Sequence, residues 1–387
     1  QRTGMIRLLN ETSAKEVVVI WATVPVEPPV KWPGGKSQEL PVIRLAAPPS
    51  FNRLVEPFVG GGSVFLGRDP EVPASVNDIN GDLVALFKAI RNPSPHFVEE
   101  WRRVADAWDC LRLPQKQLGR ASDDLRLGQS VEPHLEWLFE SGQDSASALD
   151  LPWLDYRSQI MRELTAKWKR IQAVQSRKGE LLSRDDLESN LETALRASVY
   201  YRIRERFNRN ETDTTYRRII DFWLIRELAY ASMFRYNRWG KFNVPYGGIS
   251  YNRKSLTAKI EHALSARTKA ALEKVSFSSS DFETFLAGLH LGENDLVFVD
   301  PPYDTEFSSY AGIAFDLEDQ ARLADTLTKL SSPVLIVIKD TAPVRSLYTR
   351  DHWWITCVKK TYSWNVKSRN DRLTQHLVIR NYGGRYE

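Results

Sequence analysis

The run Leu296-Val297-Phe298-Val299 breaks at once into Asp300-Pro301-Pro302-Tyr303. Four successive apolar residues leave no polar face, which suits a strand covered on both sides, as in a parallel sheet. Two prolines cannot donate to a ladder, so the strand must end at Asp300. The same prolines leave their carbonyls stiffly presented as acceptors. With the Asp300 carboxylate they suit an amino group carrying two hydrogens. Tyr303 adds a flat face on which a base can stack.

A second strand end upstream is built differently. The run Leu54-Val55-Glu56-Pro57-Phe58 opens into Gly60-Gly61-Gly62, with a helix start expected at Ser63-Val64-Phe65-Leu66. Glycines let the backbone turn sharply and approach a ligand closely. Their spacing is not the dinucleotide-binding pattern, which argues against a nicotinamide oxidoreductase. Ala74-Ser75-Val76-Asn77-Asp78 reads as the next strand; Asp78 can accept both hydroxyls of a ribose or cap the following helix. Helices are expected at 82–90, 216–234 and 317–330, strands at Val334–Ile338 and His376–Ile379, and a hairpin turn at Asn237–Phe242. Strands alternating with helices predict an α/β fold with a mostly parallel sheet, its ligands at the carboxyl ends of the strands.

Charge divides the chain further. The net charge is only +4, yet 196–259 holds 14 Lys/Arg against 5 Asp/Glu, a net of +9. Basic residues interleaved with Tyr, Phe and Trp suit a phosphate backbone, although a solvated helix face has the same composition. The segment 97–195 is helical in pattern, includes Trp101, Trp108, Trp137, Trp153 and Trp168, and carries 14 basic and 18 acidic residues, a net of −4. Two cysteines and six scattered histidines support neither a disulfide framework nor a metal site, which makes the reducing cytoplasm the expected compartment. Charges interrupt every apolar run short of the ~18 residues a membrane helix needs. Residues 1–30, ending in a proline-rich stretch, read as an arm.

These pieces, in this order, resemble the Dam-like DNA adenine methyltransferases. Lys31-Trp32-Pro33-Gly34-Gly35-Lys36 is similar to the family's N-terminal motif, with Pro33 where Ala is more usual. Val55 to Phe65 resembles its S-adenosylmethionine (AdoMet) loop, and Asn77-Asp78-Ile79-Asn80 its ribose-binding segment. Tyr201 to Asn208 looks like the lead-in to the recognition region, and Phe234-Arg235-Tyr236-Asn237 with Gly240 to Gly247 like its recognition hairpin. Asp300-Pro301-Pro302-Tyr303 matches the catalytic tetrad. Residues 31–92 and 198–382 are covered; 97–195 is an addition to the compact members, and Gly248-Ile249-Ser250-Tyr251 departs from the usual continuation.

The resemblance implies a Rossmann-like AdoMet-dependent methyltransferase sheet with an inserted helical target-recognition domain. The divisions expected are the arm 1–30, an AdoMet-binding half 31–96, the helical insertion 97–195, the recognition region 196–262 and a catalytic half 263–387. It implies methyl transfer from AdoMet to the adenine amino group in a short duplex DNA site, GATC-like from the hairpin, with the base flipped out. Trp32, Lys36, Glu56, Phe58, Gly60, Gly62, Asp78 and Asp300 would hold the cofactor, Lys36 near its carboxylate. Asp300, Pro301, Pro302 and Tyr303 would carry the chemistry, and the loop Asp304 to Ala314, with Phe307 and Tyr310, would close over the base. Lys31, Tyr230, Arg235, Asn237, Arg238, Lys241 and Arg253 would meet DNA, Tyr230 filling the vacated stack. The acidic insertion suits scaffolding or a protein partner, and a cognate restriction endonuclease is a further candidate partner. Methylation of cytosine's amino group or of adenine in RNA would use the same acceptors, and a non-catalytic DNA-binding protein on this fold is the rival of another class.

Overall fold

The computed structural model describes residues 20–111, 115–129, 132–134, 147, 149, 151, 153–210, 215–302, 315–349, 351–361 and 373–383. Tyr303, the loop 304–314 with Phe307 and Tyr310, and Trp137 lie outside the described residues.

Seven described strands form one sheet: β1 Arg53–Glu56, β2 Ala74–Asn77, β3 Val275–Ser278, β4 Asp295–Val299, β5 Val334–Lys339, β6 Trp354–Thr361 and β7 Leu373–Arg380. Their order is β3-β2-β1-β4-β5-β7-β6. The first five pair in parallel; β7 runs antiparallel to both β5 and β6. All residues of β2 and β4 are buried, as expected where helices cover both faces. The apolar runs at 54–56, 296–299 and 334–338 are therefore legible as strands.

β3 and β6 have no such signature. Val275-Ser276-Phe277-Ser278 runs on into Ser279 and Ser280, a serine composition that reads as loop, and β6 carries Lys359 and Lys360. Both are edge strands, where polar and charged residues protect the unpaired side.

Between β2 and β3 the main described elements are helices. The helix Gly81–Arg91, capped by Asn80, packs on the sheet through Leu83, Leu86, Phe87 and Ile90. Beyond it, helices Pro95–Asp109, Arg184–Arg209, Thr215–Leu228 and Leu256–Ala263 extend the same core, which is continuous with this face of the sheet. Trp101 meets Trp223 edge-on at 5.0 Å, and Trp223 donates to the Pro29 carbonyl at 3.0 Å. Arg206 pairs twice with buried Asp221 at 2.7 Å, and Arg218 ties this layer to Asp82 at 2.7 and 2.8 Å. The helix Arg184–Arg209 passes through residue 195 without a break, so the acidic segment and the basic region meet inside one helix. Trp223→Ala is expected to cost about 3–5 kcal/mol, the range for emptying a large core site. Urea unfolding measures it, and a loss under ~1 kcal/mol would show that this layer does not depend on the Trp101–Trp223 contact.

Two local expectations are corrected. Ser63 to Leu66 does not begin an α-helix; the chain makes one short 3₁₀ turn, Phe65–Gly67. The expected helix 216–234 ends at Leu228. Tyr230 N–H donates instead to the Pro245 carbonyl at 2.8 Å, and Gly247 N–H to Leu228 at 2.9 Å. Ala231 and Ser232 then turn left-handed, at φ 52° and 54°. Tertiary hydrogen bonds win here over helical periodicity.

Candidate active site

Strand order reverses between β1 and β4, because β2 lies on one side of the pair and β5 on the other. Chain connections leave in opposite directions there and open a crevice at the carboxyl ends. Glu56 ends β1 and Val299 ends β4, so the glycine turn and Asp300 face a single cleft. The candidate residues Trp32, Lys36, Glu56, Phe58, Gly60, Gly62, Asp78, Asp300, Pro301 and Pro302 all line it.

The glycine turn is shaped by left-handed backbone at Gly60, φ 49°, and Gly62, φ 82°. A Cβ on Gly60 would lie 2.8 Å from Trp32 Cδ1, and one on Gly62 only 2.4 Å from Phe65 Cε1. Gly60 N–H donates to Asp78 Oδ2 at 3.0 Å, and Asn80 N–H to Oδ1 at 2.9 Å. Both bonds favour the charged carboxylate, but burial outweighs them and pushes Asp78 up to about 6. The Asp78 carboxylate thus locks two backbone segments at the rim; the adjoining helix is capped by Asn80, whose Oδ1 accepts from Leu83 N–H at 2.9 Å.

Glu56 is buried, and its Oε1 has no hydrogen-bond partner among the described residues. Burial drives its carboxyl well above the ordinary carboxylate range; Arg68 opposes the rise and Asp300 adds to it. Asp300 itself accepts from buried Lys36, Nζ to Oδ2 2.6 Å. Lys36 lies 3.6 Å from Glu39, whose other oxygen is 3.1 Å from His376 Nδ1. Lys36, expected near a cofactor carboxylate, lines the cleft and pairs directly with the tetrad acid. The Pro302 carbonyl accepts from the buried Gln320 amide at 3.0 Å.

The opposite wall is aromatic. Phe58 lies 5.5 Å from both Phe282 and Phe315, and the Arg322 guanidinium stacks 4.3 Å from Phe282 while bonding Asp281. Phe282, Phe315 and Arg322 were missed because only the fold brings them to this cleft; no spacing in the chain marks them.

The expected DNA-facing residues occupy a neighbouring surface. The hairpin forms, with Tyr236 bridged to Phe242, Asn237 N–H on the Lys241 carbonyl at 2.9 Å, and Gly240 at φ 69°. Asn237 Oδ1 is committed to this turn, accepting from Trp239 and Lys241 N–H at 3.0 Å. Arg235 is exposed and donates to Asn243 at 3.0 Å; Arg238, Lys241 and Arg253 are exposed too. Trp239, at the hairpin tip, is 67% exposed with Arg238 stacked on it. Lys31 and Lys254 both lie over the Tyr251 ring, and burial with the neighbouring Lys31 charge pushes Lys254 down to about 6. Among the described residues no group of His, Cys, Asp and Glu could hold a metal ion, and no helix is long and apolar enough to cross a membrane.

The chain is similar to several known proteins. The retron Ec67 DNA adenine methylase of Escherichia coli is 35% identical over 163 residues, 41% of this chain and 53% of that protein, so the match spans about half its length. The type II methyltransferase M.CviBI of Paramecium bursaria Chlorella virus NC1A is 24% identical over 92% of this chain and 100% of its own. The DNA adenine methylase of Escherichia coli K12 is 26% identical over 88% and 90%. A model of the D12 class N6 adenine-specific DNA methyltransferases matches residues 32–111 and 160–364, which include the glycine turn, Asp78 and the tetrad. With the cleft and the recognition hairpin in one match, the chain belongs to the D12 class N6 adenine-specific DNA methyltransferase family.

Proposed function

We propose that the cleft binds AdoMet beside a flipped-out adenine and that Asp300 directs methyl transfer to the adenine amino group. The observation that carries this reading is the meeting of the glycine turn, Asp78 and Asp300 in one cleft. The residues fit the cofactor. Asp78 offers a carboxylate to two ribose hydroxyls, the unpartnered Glu56 Oε1 offers an acceptor to an ammonium group, and the glycine turn packs its backbone against Trp32 and Phe65 where a Cβ on Gly60 or Gly62 would clash. Ile79 and Phe282 supply apolar faces for a purine.

Bound AdoMet supplies an electrophilic methyl on a sulfonium. The chain's own residues do the rest. The amino nitrogen of adenine is a poor nucleophile because its lone pair is delocalised into the ring. Asp300 and the Pro301 carbonyl, accepting its two hydrogens, favour a tetrahedral nitrogen and aim the lone pair, which is orientation plus electrostatics. Lys36 Nζ on Oδ2 fixes the orientation of the Asp300 carboxylate beside the place proposed for the base. Proton loss follows attack, with Asp300 acting as acceptor and aligner. The base must leave the helix to arrive here, at a cost of a few kcal/mol, with Tyr303 as its stacking partner and Tyr230 as the prop for the gap. Arg235, Arg238, Lys241, Arg253 and Lys31 bring the positive charge that duplex DNA requires. The acidic 97–195 segment suits a protein contact better than a phosphate surface.

The test is DNA from cells expressing the protein, read for modified bases. N6-methyladenine at one short site is expected; methylation confined to cytosine, or none, overturns the reading.

Asp78 gives a pH-dependent prediction. Its carboxyl titrates near 6, so it is charged above and neutral below. Affinity for sinefungin, a non-reactive AdoMet analogue, should be full above about pH 7 and fall as pH drops through about 6. Asp78→Asn should be weaker by about 10-fold at pH 7.5, the scale of a lost charged hydrogen bond, and flat with pH. For folding the sign is opposite. A carboxyl raised above its unfolded value makes the ionised form cost stability above pH 6, a cost relieved as pH falls toward about 4. Calorimetric titration from pH 5 to 8 checks the binding trend; an unchanged slope in Asp78→Asn removes Asp78 from the site.

A further inference from the structure

Arg226 has no solvent exposure, yet it reaches two functional surfaces. Its Nη2 donates to the Lys31 carbonyl at 3.0 Å and to the Ser232 carbonyl at 3.1 Å, and its Nη1 to Met233 at 2.8 Å. The guanidinium also lies 5.2 Å from the Trp32 ring and 4.5 Å from Phe234. Trp32 is a wall of the cofactor cleft and fills the space above Gly60. Ser232 and Met233 belong to the turn that follows Tyr230, on the side assigned to DNA.

That turn is strained. Ala231 and Ser232 are successive left-handed residues, and neither is glycine. Such a pair persists only where its surroundings hold it. Here the holders are the Arg226 bonds to Ser232 and Met233 and the bond from Tyr230 N–H to Pro245. The same holder grips the cleft wall through Lys31 and Trp32.

We infer that Arg226 is a positioning residue that couples the cofactor cleft to the DNA-facing turn. A ligand that presses Trp32 into place steadies Arg226, which keeps the turn in the held form that DNA meets. The inference rests on the proposed reading of the cleft and the turn. Linkage then requires that cofactor and DNA raise each other's affinity by one common factor.

The experiment measures four dissociation constants on the full chain: sinefungin with and without a duplex that the wild type methylates, and that duplex with and without sinefungin. Wild type should show about a 10-fold gain in both directions, within the usual range for coupled sites. Arg226→Lys keeps the charge but cannot span the three carbonyls, and its gain should fall to about 1-fold. Ser232→Gly leaves Arg226 intact and suits the left-handed backbone, so it folds whether or not Arg226→Lys does. Its affinity for DNA alone should rise toward the wild-type value with sinefungin, shrinking the gain from the other side. A wild-type gain near 1-fold with both ligands bound, or an undiminished gain in Ser232→Gly, overturns the coupling and leaves the functional reading standing. A wild type that binds neither ligand overturns both.

Discussion

Asp300→Ala is expected to lower the single-turnover rate of methyl transfer by about 10³-fold while leaving sinefungin affinity within about threefold. The rate falls for two reasons. The amino group loses the acceptor that directs its lone pair, a contact made fully only as the nitrogen becomes tetrahedral, so the loss appears in the chemical step. Lys36 also loses its nearest anion. It is buried, and Glu39 lies farther off at 3.6 Å. The ammonium would then sit where the amino group must enter and repel it. Cofactor affinity is largely spared because Asp78 and the glycine turn, two of the groups assigned to AdoMet, are held by their own backbone bonds. Rapid-quench assays with saturating cofactor and DNA measure the rate. Activity within about tenfold of wild type would remove Asp300 from the chemistry.

Gly60→Val is expected to weaken sinefungin by more than about 100-fold and to cost about 2–4 kcal/mol of stability, the sum of a left-handed penalty and an overpacked contact. Its Cβ would lie 2.8 Å from Trp32, and the branches at Cβ have even less space. Trp32 has to leave the cleft wall, and Gly60 N–H has to shift off Asp78. Gly240→Ala is the control. Gly240 is also left-handed, at φ 69°, but a Cβ there meets nothing within 4 Å. It should cost about 1 kcal/mol and leave sinefungin binding unchanged. Thermal unfolding and calorimetric titration of both variants separate backbone strain from steric loss of the cleft; equal effects would refute the role given to the Trp32 contact.

The comparison between chain and fold divides by physical cause. Strands β1, β4 and β5 were legible because burial on both faces forces apolar runs on them, and the glycine turn and tetrad because neighbouring residues carry their chemistry. Asp78 was legible through its place at a strand end. β3 and β6 were not, since an edge strand is free to be polar. The end of the Thr215–Leu228 helix was not, since the bonds that stop it run from Tyr230 N–H to the Pro245 carbonyl and from Gly247 N–H to the Leu228 carbonyl. Lys36 on Asp300, Gln320 on Pro302 and the Phe58–Phe282–Phe315 wall join residues far apart in the chain, and no local pattern encodes such pairings.

Local order alone therefore determined the chemistry on offer: an acid before two prolines, a turn no side chain can occupy, and a basic aromatic stretch. Those properties belong to consecutive residues and survive in the unfolded chain. Only the tertiary structure decided which groups face each other, because the reversal of strand order between β1 and β4 is set by the packing of the whole sheet. Packing between segments separated in the chain sets Lys36 on Asp300, Gln320 on the Pro302 carbonyl, and Arg226 behind Trp32.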